Sequence, residues 1–351
     1  MLPGLVDAHV HLCGDGRPGV LDRLPDYDDH GLTEVIRRSL AGQLAAGVTS
    51  VRDPGDRRAA VLDWGSRATT PAGPSAAPTI VASGPPITSR NGHCAKMGGE
   101  AAGPEQLPAA VCDRLERGAD LVKVMASGGV MTAGTDALRC QFQLAELRVA
   151  VEEAHAAGLP VTTHAHGLPA VEQAVDAEVD GIEHCNCLTT SGIQMPDRLL
   201  ERLASRGTVV CPTLRKAAGS TPPAAVLALM QRTGITWEAR QAHAARMHRA
   251  GVRLVSGSDG GISPRKPHSV LPDAVADLVA GGVPAADALA TATWRAAQSC
   301  GLGTHKGRLR AGHDADLLVV DGTHWTQWCP IICRRASRPS PAACNREANV
   351  T

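Results

Sequence analysis

G-L-V-D-A-H-V-H-L, residues 4–12, is a short apolar run closed by two histidines two positions apart. Side chains alternate along a strand, so Val6, Ala8, Val10 and Leu12 share one face while Asp7, His9 and His11 share the other. One face is apolar and the other can hold a metal. An imidazole pair at i and i+2 converges on one ion from a rigid backbone, which is a common first half of a zinc or iron site. Working outward, similar runs return at 48–53, 79–87, 121–127, 159–166, 181–185, 208–214 and 253–259. Between most of them lie segments with apolar residues at helical spacing, such as Leu144, Leu147, Val151 and Ala154, or Leu199, Leu200 and Leu203. Gly47, Gly118, Gly158, Gly207 and Gly251 stop such segments just before the next strand. Strand, helix and glycine in repetition predict an α/β fold of the (β/α)8 TIM-type barrel class.

A barrel places its chemistry at the carboxyl ends of its strands. His9 and His11 close the first run, Lys123 lies in the fourth, His164 and His166 close the fifth, His184 the sixth and Asp259 the eighth. Lys123 is one of only five lysines and alternates in phase with Leu121 and Met125. A buried unpaired ammonium is costly, so the amine either pairs with an interior carboxylate such as Asp7 or Asp259, or is chemically altered. His93 lies in the glycine-containing N-G-H loop after the third run.

The chain has 351 residues, with Lys+Arg and Asp+Glu both at 35, so its formal net charge is zero. No basic excess argues for nucleic acid or an anionic membrane. The first residues lack a cationic and apolar leader pattern, and no apolar run reaches the ~18 residues of a membrane span. The expectation is a cytoplasmic protein acting on a small molecule, with no nucleic-acid or membrane partner and a possible homo-oligomer. Eleven cysteines without C-x-x-C spacing read as reduced thiols. The C-N-C at Cys185 and Cys187 carries little weight as a ligand pair.

In order, V-D-A-H-V-H-L, V-K-V-M-A-S-G-G, T-T-H-A-H-G, G-I-E-H-C and G-S-D-G-G closely resemble the motifs of the amidohydrolase superfamily of metal-dependent hydrolases. The pattern is similar to the carboxylated-lysine branch, which includes Xaa-Pro and Xaa-Arg dipeptidases and related carboxypeptidase-like enzymes. The resemblance implies that His9, His11 and Asp259 bind one divalent metal and His164 and His184 a second. Lys123, carboxylated by carbon dioxide, would bridge the two ions, with zinc the first choice of metal. His93, His166 and Arg139 are then the candidate substrate contacts. The implied reaction is hydrolysis of an amide C–N bond of a dipeptide or N-acyl amino acid by a metal-bridging hydroxide, with Asp259 moving the proton. Two alternatives stand beside it: a mononuclear deaminase or cyclic amide hydrolase of the imidazolonepropionase-like type, and a catalytically silent binding protein on the same scaffold.

The ends depart from that pattern. Residues 1–304 are read as the barrel and 305–322 as the remnant of a small β-sandwich, because K-G-R-L-R-A-G-H-D-A-D-L-L-V-V-D-G at 306–322 matches its returning strands while most of the N-terminal half is missing. Residues 317–320 are thus expected to leave an unpaired edge, making stability sensitive to association. Residues 323–351 have no helix or strand period and are expected to be a mobile tail, with Cys329 and Cys333 incidental.

Overall fold

A computed structural model describes residues 1–68, 77–101, 103, 105–214, 221–320 and 334–335. The chain opens with β1 (Leu2–Pro3), and then β2 (Leu5–Asp7), β3 (Val48–Asp53) and β4 (Thr79–Ala82) form a parallel sheet in that order. A second sheet is built from β5 (Val122–Met125), β6 (Val161–Gly167), β7 (Gly181–Thr189), β8 (Gly192–Ile193), β9 (Val209–Cys211) and β10 (Arg253–Leu254). Its parallel order is β5-β6-β7-β9-β10, and β8 folds back antiparallel on β7. The eight parallel strands coincide with the eight runs marked in the sequence.

Backbone hydrogen bonds join the two sheets at both remaining edges. Beyond β4, Ile87 N donates to Lys123 O at 2.7 Å and Met125 N donates to Ile87 O at 2.8 Å. On the other side, Ala8 N donates to Ser256 O at 3.0 Å, His11 N to Gly260 O at 2.9 Å and Asp259 N to His9 O at 2.7 Å. That second seam carries His9, His11 and Asp259 to one place.

Every residue of β3 and β5 is buried, as expected where a parallel sheet is covered on both faces. Helix Leu144–Ala156 shows how the cover is made. Gln143 N donates to Glu146 Oε2 at 2.7 Å at its start, and Leu147, Ala150, Val151 and Ala154 face inward. Gly158, at φ 75°, then takes the left-handed turn that admits glycine without strain, and the chain enters β6.

The appendage corrects one expectation. β11 (Leu317–Val319) pairs antiparallel with β1, Leu2 opposite Leu318, and on its other side with β12 (Arg334–Arg335). Leu318 is buried. The edge expected to stand unpaired is therefore partnered by the first residues of the chain. Apart from 334–335, the expected mobile tail lies outside the described residues, as do Cys329 and Cys333. The cysteines among the described residues are free thiols, and no described helix is long and apolar enough to cross a membrane.

Candidate metal centre

β2 ends at Asp7, and the chain bends through Ala8 and His9 before pairing again at Val10. The bend separates the residues that strict alternation would have grouped. Asp7 turns to Ser258 N at 2.9 Å and to Gln43, away from the imidazoles. His9 and His11 instead bring their Nε2 atoms within 3.2 Å of each other, at 3.6 and 3.4 Å from Asp259 Oδ1. These three side chains can hold one ion.

The tautomers make this triad a cation site. His11 Nδ1 lies 2.8 Å from Gly55 O, which only accepts, so the proton of a neutral ring sits on Nδ1. His9 Nδ1 lies 2.7 Å from Glu183 Oε2. Although burial opposes its charge, Arg52 at 2.9 Å together with His9 holds the Glu183 carboxyl well below the usual range, so it too accepts. With both Nδ1 atoms protonated, two bare Nε2 lone pairs and a carboxylate oxygen face one point. A proton or a metal ion must sit among them. In the absence of metal the Asp259 carboxylate, working against burial, holds the His11 pKa above its ordinary value, and burial lowers that of His9 to about 4.

A second group lies against the first, the His9 and His184 rings being 5.6 Å apart. His164, His166 and His184 bring ring nitrogens close enough for a common ion. His184 Nδ1 pairs with Thr213 Oγ1 at 2.7 Å, and His166 Nδ1 with Asn186 Nδ2 at 2.8 Å. Burial and the neighbouring rings hold His164 and His184 well below the ordinary imidazole value, and burial brings His93 and His166 to about 3. All four stay neutral near pH 7, the form that ligates metal.

Lys123 is 1% exposed and its Nζ has no hydrogen-bond partner among the described residues. Neither Asp7 nor Asp259 pairs with it: Asp7 is spent on Ser258, and Asp259 Oδ2 takes Lys266 Nζ at 2.7 Å. Burial pushes the Lys123 amine below its usual pKa. Lys266 in turn holds Asp259 well below the ordinary carboxylate range against the effect of burial.

A cavity of about 350 Å³ unites His11, His93, Lys123, His164, His166, His184 and Asp259. His93 is fixed by Thr132 Oγ1 at 2.8 Å, its ring 4.6 Å from that of His164. Arg139 is a correction. Its side chain is 85% exposed, 3.9 Å from Asp136 on the surface, and lines no part of the cavity. Two arginines do line it, Arg240 on helix Trp237–Arg249 and Arg265. Glu183, Thr213, Asn186 and Lys266 were not singled out from the sequence. Glu183 carried a signal, since it directly precedes His184. Alternation, however, sends neighbours to opposite faces, whereas here His9 pairs with Glu183 and lies against His184, which takes φ 68°. Asp259 at φ 54° and Thr213 at φ 44° are similarly strained, and such backbone clusters at functional sites.

The amidohydrolase family model matches residues 1–351, the whole chain. The chain belongs to the amidohydrolase family. Within that family, the chain is 30% identical over 217 residues to the ochratoxinase of Aspergillus niger, covering 52% of this chain and 43% of that one. The chain thus matches less than half the length of that relative. An uncharacterized protein of Mycobacterium bovis is also 30% identical, over 308 residues, 84% of this chain and 73% of that one. Among solved structures, a Xaa-Pro dipeptidase with methionine in its active site superposes at TM-score 0.78 with 24% identity over 92% of this chain and 80% of that one. A prolidase complexed with N-methylphosphonate-L-proline gives TM-score 0.74 at 25% identity over 92% and 80%. This amidohydrolase thus shares the fold of these solved structures.

Proposed function

We propose that the chain is a binuclear metal-dependent amidohydrolase that cleaves the C–N bond of a dipeptide or N-acyl amino acid. The scaffold is a closed (β/α)8 barrel, supported by the hydrogen bonds at both seams, with a small β-sandwich appendage. One observation carries the reading: an unpartnered buried lysine amine in the same cavity as two groups of metal-compatible side chains. Burial lowers the pKa of the amine and so favours its neutral form, which adds to carbon dioxide and loses a proton to become a carbamate. The buried cation is thereby exchanged for an anionic pair of oxygens. The donor set fits two divalent ions, His9, His11 and Asp259 holding one, His164 and His184 the other, and Lys123 joining both. The histidine-rich set favours zinc.

Two such ions, when bound, acidify water and polarise the amide carbonyl. The remaining work belongs to the chain. Asp259 accepts the proton of the attacking water at a carboxylate oxygen and delivers it to the departing amine nitrogen. Glu183 keeps the His9 proton on Nδ1, and Thr213 orients His184. His93 and His166 stand at the cavity wall where they contact the substrate.

The test is metal content per chain together with amine release from a panel of dipeptides, N-acyl amino acids, thiocarbamates and phenylureas. About two metals per chain are expected from the two donor groups, with turnover of the dipeptide and N-acyl members. Lys123→Ala should lose most activity and part of the metal. Because it removes an unsatisfied buried amine, its metal-free form should be no less stable than wild type beyond the ~1–3 kcal/mol cost of a cavity. Full metal and full turnover in Lys123→Ala would exclude the bridging role.

A further inference from the structure

Arg240 is the feature of the cavity that the metal chemistry leaves unused. Helix Trp237–Arg249 begins at Thr236, whose side chain accepts from Ala239 N, and it places Trp237 and Arg240 three residues apart on one face. The guanidinium sits 5.0 Å from the centroid of the Trp237 ring, and Nη2 donates to Pro212 O at 2.9 Å. The head group is thus held in place. Its Nε is buried without a partner, and Nη1 bonds to no described residue. Asp259 and Asp277 act on it only through space. Asp259 is paired with Lys266, and Asp277 Oδ1 accepts from Trp237 and Gln241.

The charges of the cavity lining are unequal. Lys123, Arg240, Arg265 and Lys266 contribute to it, against Asp259 as the one carboxylate. Trp237 lies against Arg240, and Val226, Leu229 and Met230 add apolar lining to the same cavity. A planar fork of donors, fixed and largely desolvated, binds a carboxylate far better than a neutral group, and its burial is costly until an anion arrives.

We propose that Arg240 recognises the free carboxylate of the substrate, so that the substrate is an N-acylated apolar amino acid whose side chain lies on the Val226, Leu229, Met230 and Trp237 wall. This deepens the amide-hydrolase reading and rests on it for the reaction, though the binding of a carboxylate does not require turnover.

The test has a binding arm and a hydrolysis arm on the metal-loaded protein. In the first, calorimetric titration compares N-acetyl-leucine with N-acetyl-leucinamide, which differ only in the charged terminus. Wild type should prefer the acid by about 10- to 100-fold, the range for a charged hydrogen-bond pair. Arg240→Met should abolish the preference, and Arg240→Lys, which keeps the charge but not the fork, should retain part of it. Equal affinity of wild type for acid and amide overturns the proposal. So does undiminished preference in Arg240→Met or, should that variant not fold, in Arg240→Lys. In the second arm, chromatography of the released amine measures kcat and KM for the same pair. Arg240→Lys should raise KM for the acid selectively, whereas equal losses on acid and amide would assign Arg240 a merely structural role. Absence of turnover with the acid preference intact would reject the amide-hydrolase reading and leave the carboxylate site standing.

Discussion

Glu183 accepts from three side chains at once: His9 Nδ1 at 2.7 Å, Arg52 Nη2 at 2.9 Å and Thr162 Oγ1 at 2.7 Å. It is fully buried, so removing its charge strands Arg52 and frees the His9 tautomer. Glu183→Gln should cost about 3–5 kcal/mol in chemical denaturation, as for a broken buried ion pair, and weaken metal binding about 10- to 100-fold. Thr162→Val, which loses one hydrogen bond to the carboxylate, should cost about 1.5–3 kcal/mol and leave the metal in place. Unchanged metal affinity in Glu183→Gln would mean that the carboxylate serves Arg52 alone. At this scale the sequence was legible wherever a residue sat at a strand end. His9, His11, His164, His184 and Asp259 were found that way and Lys123 by its place inside the fourth run; all but His9 line one cavity, His9 standing behind it 3.6 Å from Asp259, while their roles rest on the experiments above. Arg139 and Arg240 could not be ranked in the same manner. Both are arginines in mixed surroundings, and only the packing of helix Trp237–Arg249 puts one inside and leaves the other on the surface.

At the scale of elements, the seam between the first and eighth strands decides whether the metal centre exists. Gly257 lies on this seam, and a Cβ built there would meet His9 Cβ at 2.5 Å, Cys211 Sγ at 2.6 Å and His9 N at 2.9 Å. Backbone, unlike a flexible side-chain tip, cannot yield cheaply. Gly257→Ala should therefore push the strands apart, cost about 1–3 kcal/mol as an overpacked site does, and displace His9 from His11 and Asp259. Metal stoichiometry is the decisive measurement, and a Gly257→Ala protein that retains its full complement would contradict the assigned geometry. The strands themselves were legible because burial on both faces and stopping glycines leave a local trace. β1 pairing with β11 left none. Two short strands more than 300 residues apart in sequence carry no periodicity that points from one to the other, so the predicted open edge was the natural reading of a pairing only the fold reveals.

Across the whole molecule, stability in acid is a contest between buried groups of opposite tendency. Burial lowers His93 and His166 to about 3 and His9, His243 and His268 to about 4, and with the neighbouring rings it holds His164 and His184 well below the ordinary imidazole value. Below the unfolded histidine value near 6.5 the unfolded chain takes up protons at these seven sites and the folded chain does not, so stability falls as pH falls. Burial also raises Asp7 and Asp53 to about 6 and Asp56 to about 7, with Asp120 raised in the same way. These keep protons in the folded state that the unfolded chain has released, so their contribution runs the other way and is lost as pH rises from about 4 toward 7. His11, held up by Asp259, sides with them. His11 changes its contribution only above about 6.5, so between pH 4 and 6.5 seven histidines outweigh four aspartates, and Glu183 and Asp259, both held low, add a further loss once the pH drops below about 4. The chelator-treated protein should therefore gain thermal stability from pH 4 to pH 6.5 by scanning calorimetry. Zinc should steepen that rise, because protons compete with the ion for the same imidazoles. A chelated protein whose Tm is flat or falls over this interval would show that the buried aspartates dominate, and a slope unaffected by zinc would detach the histidine cluster from metal binding.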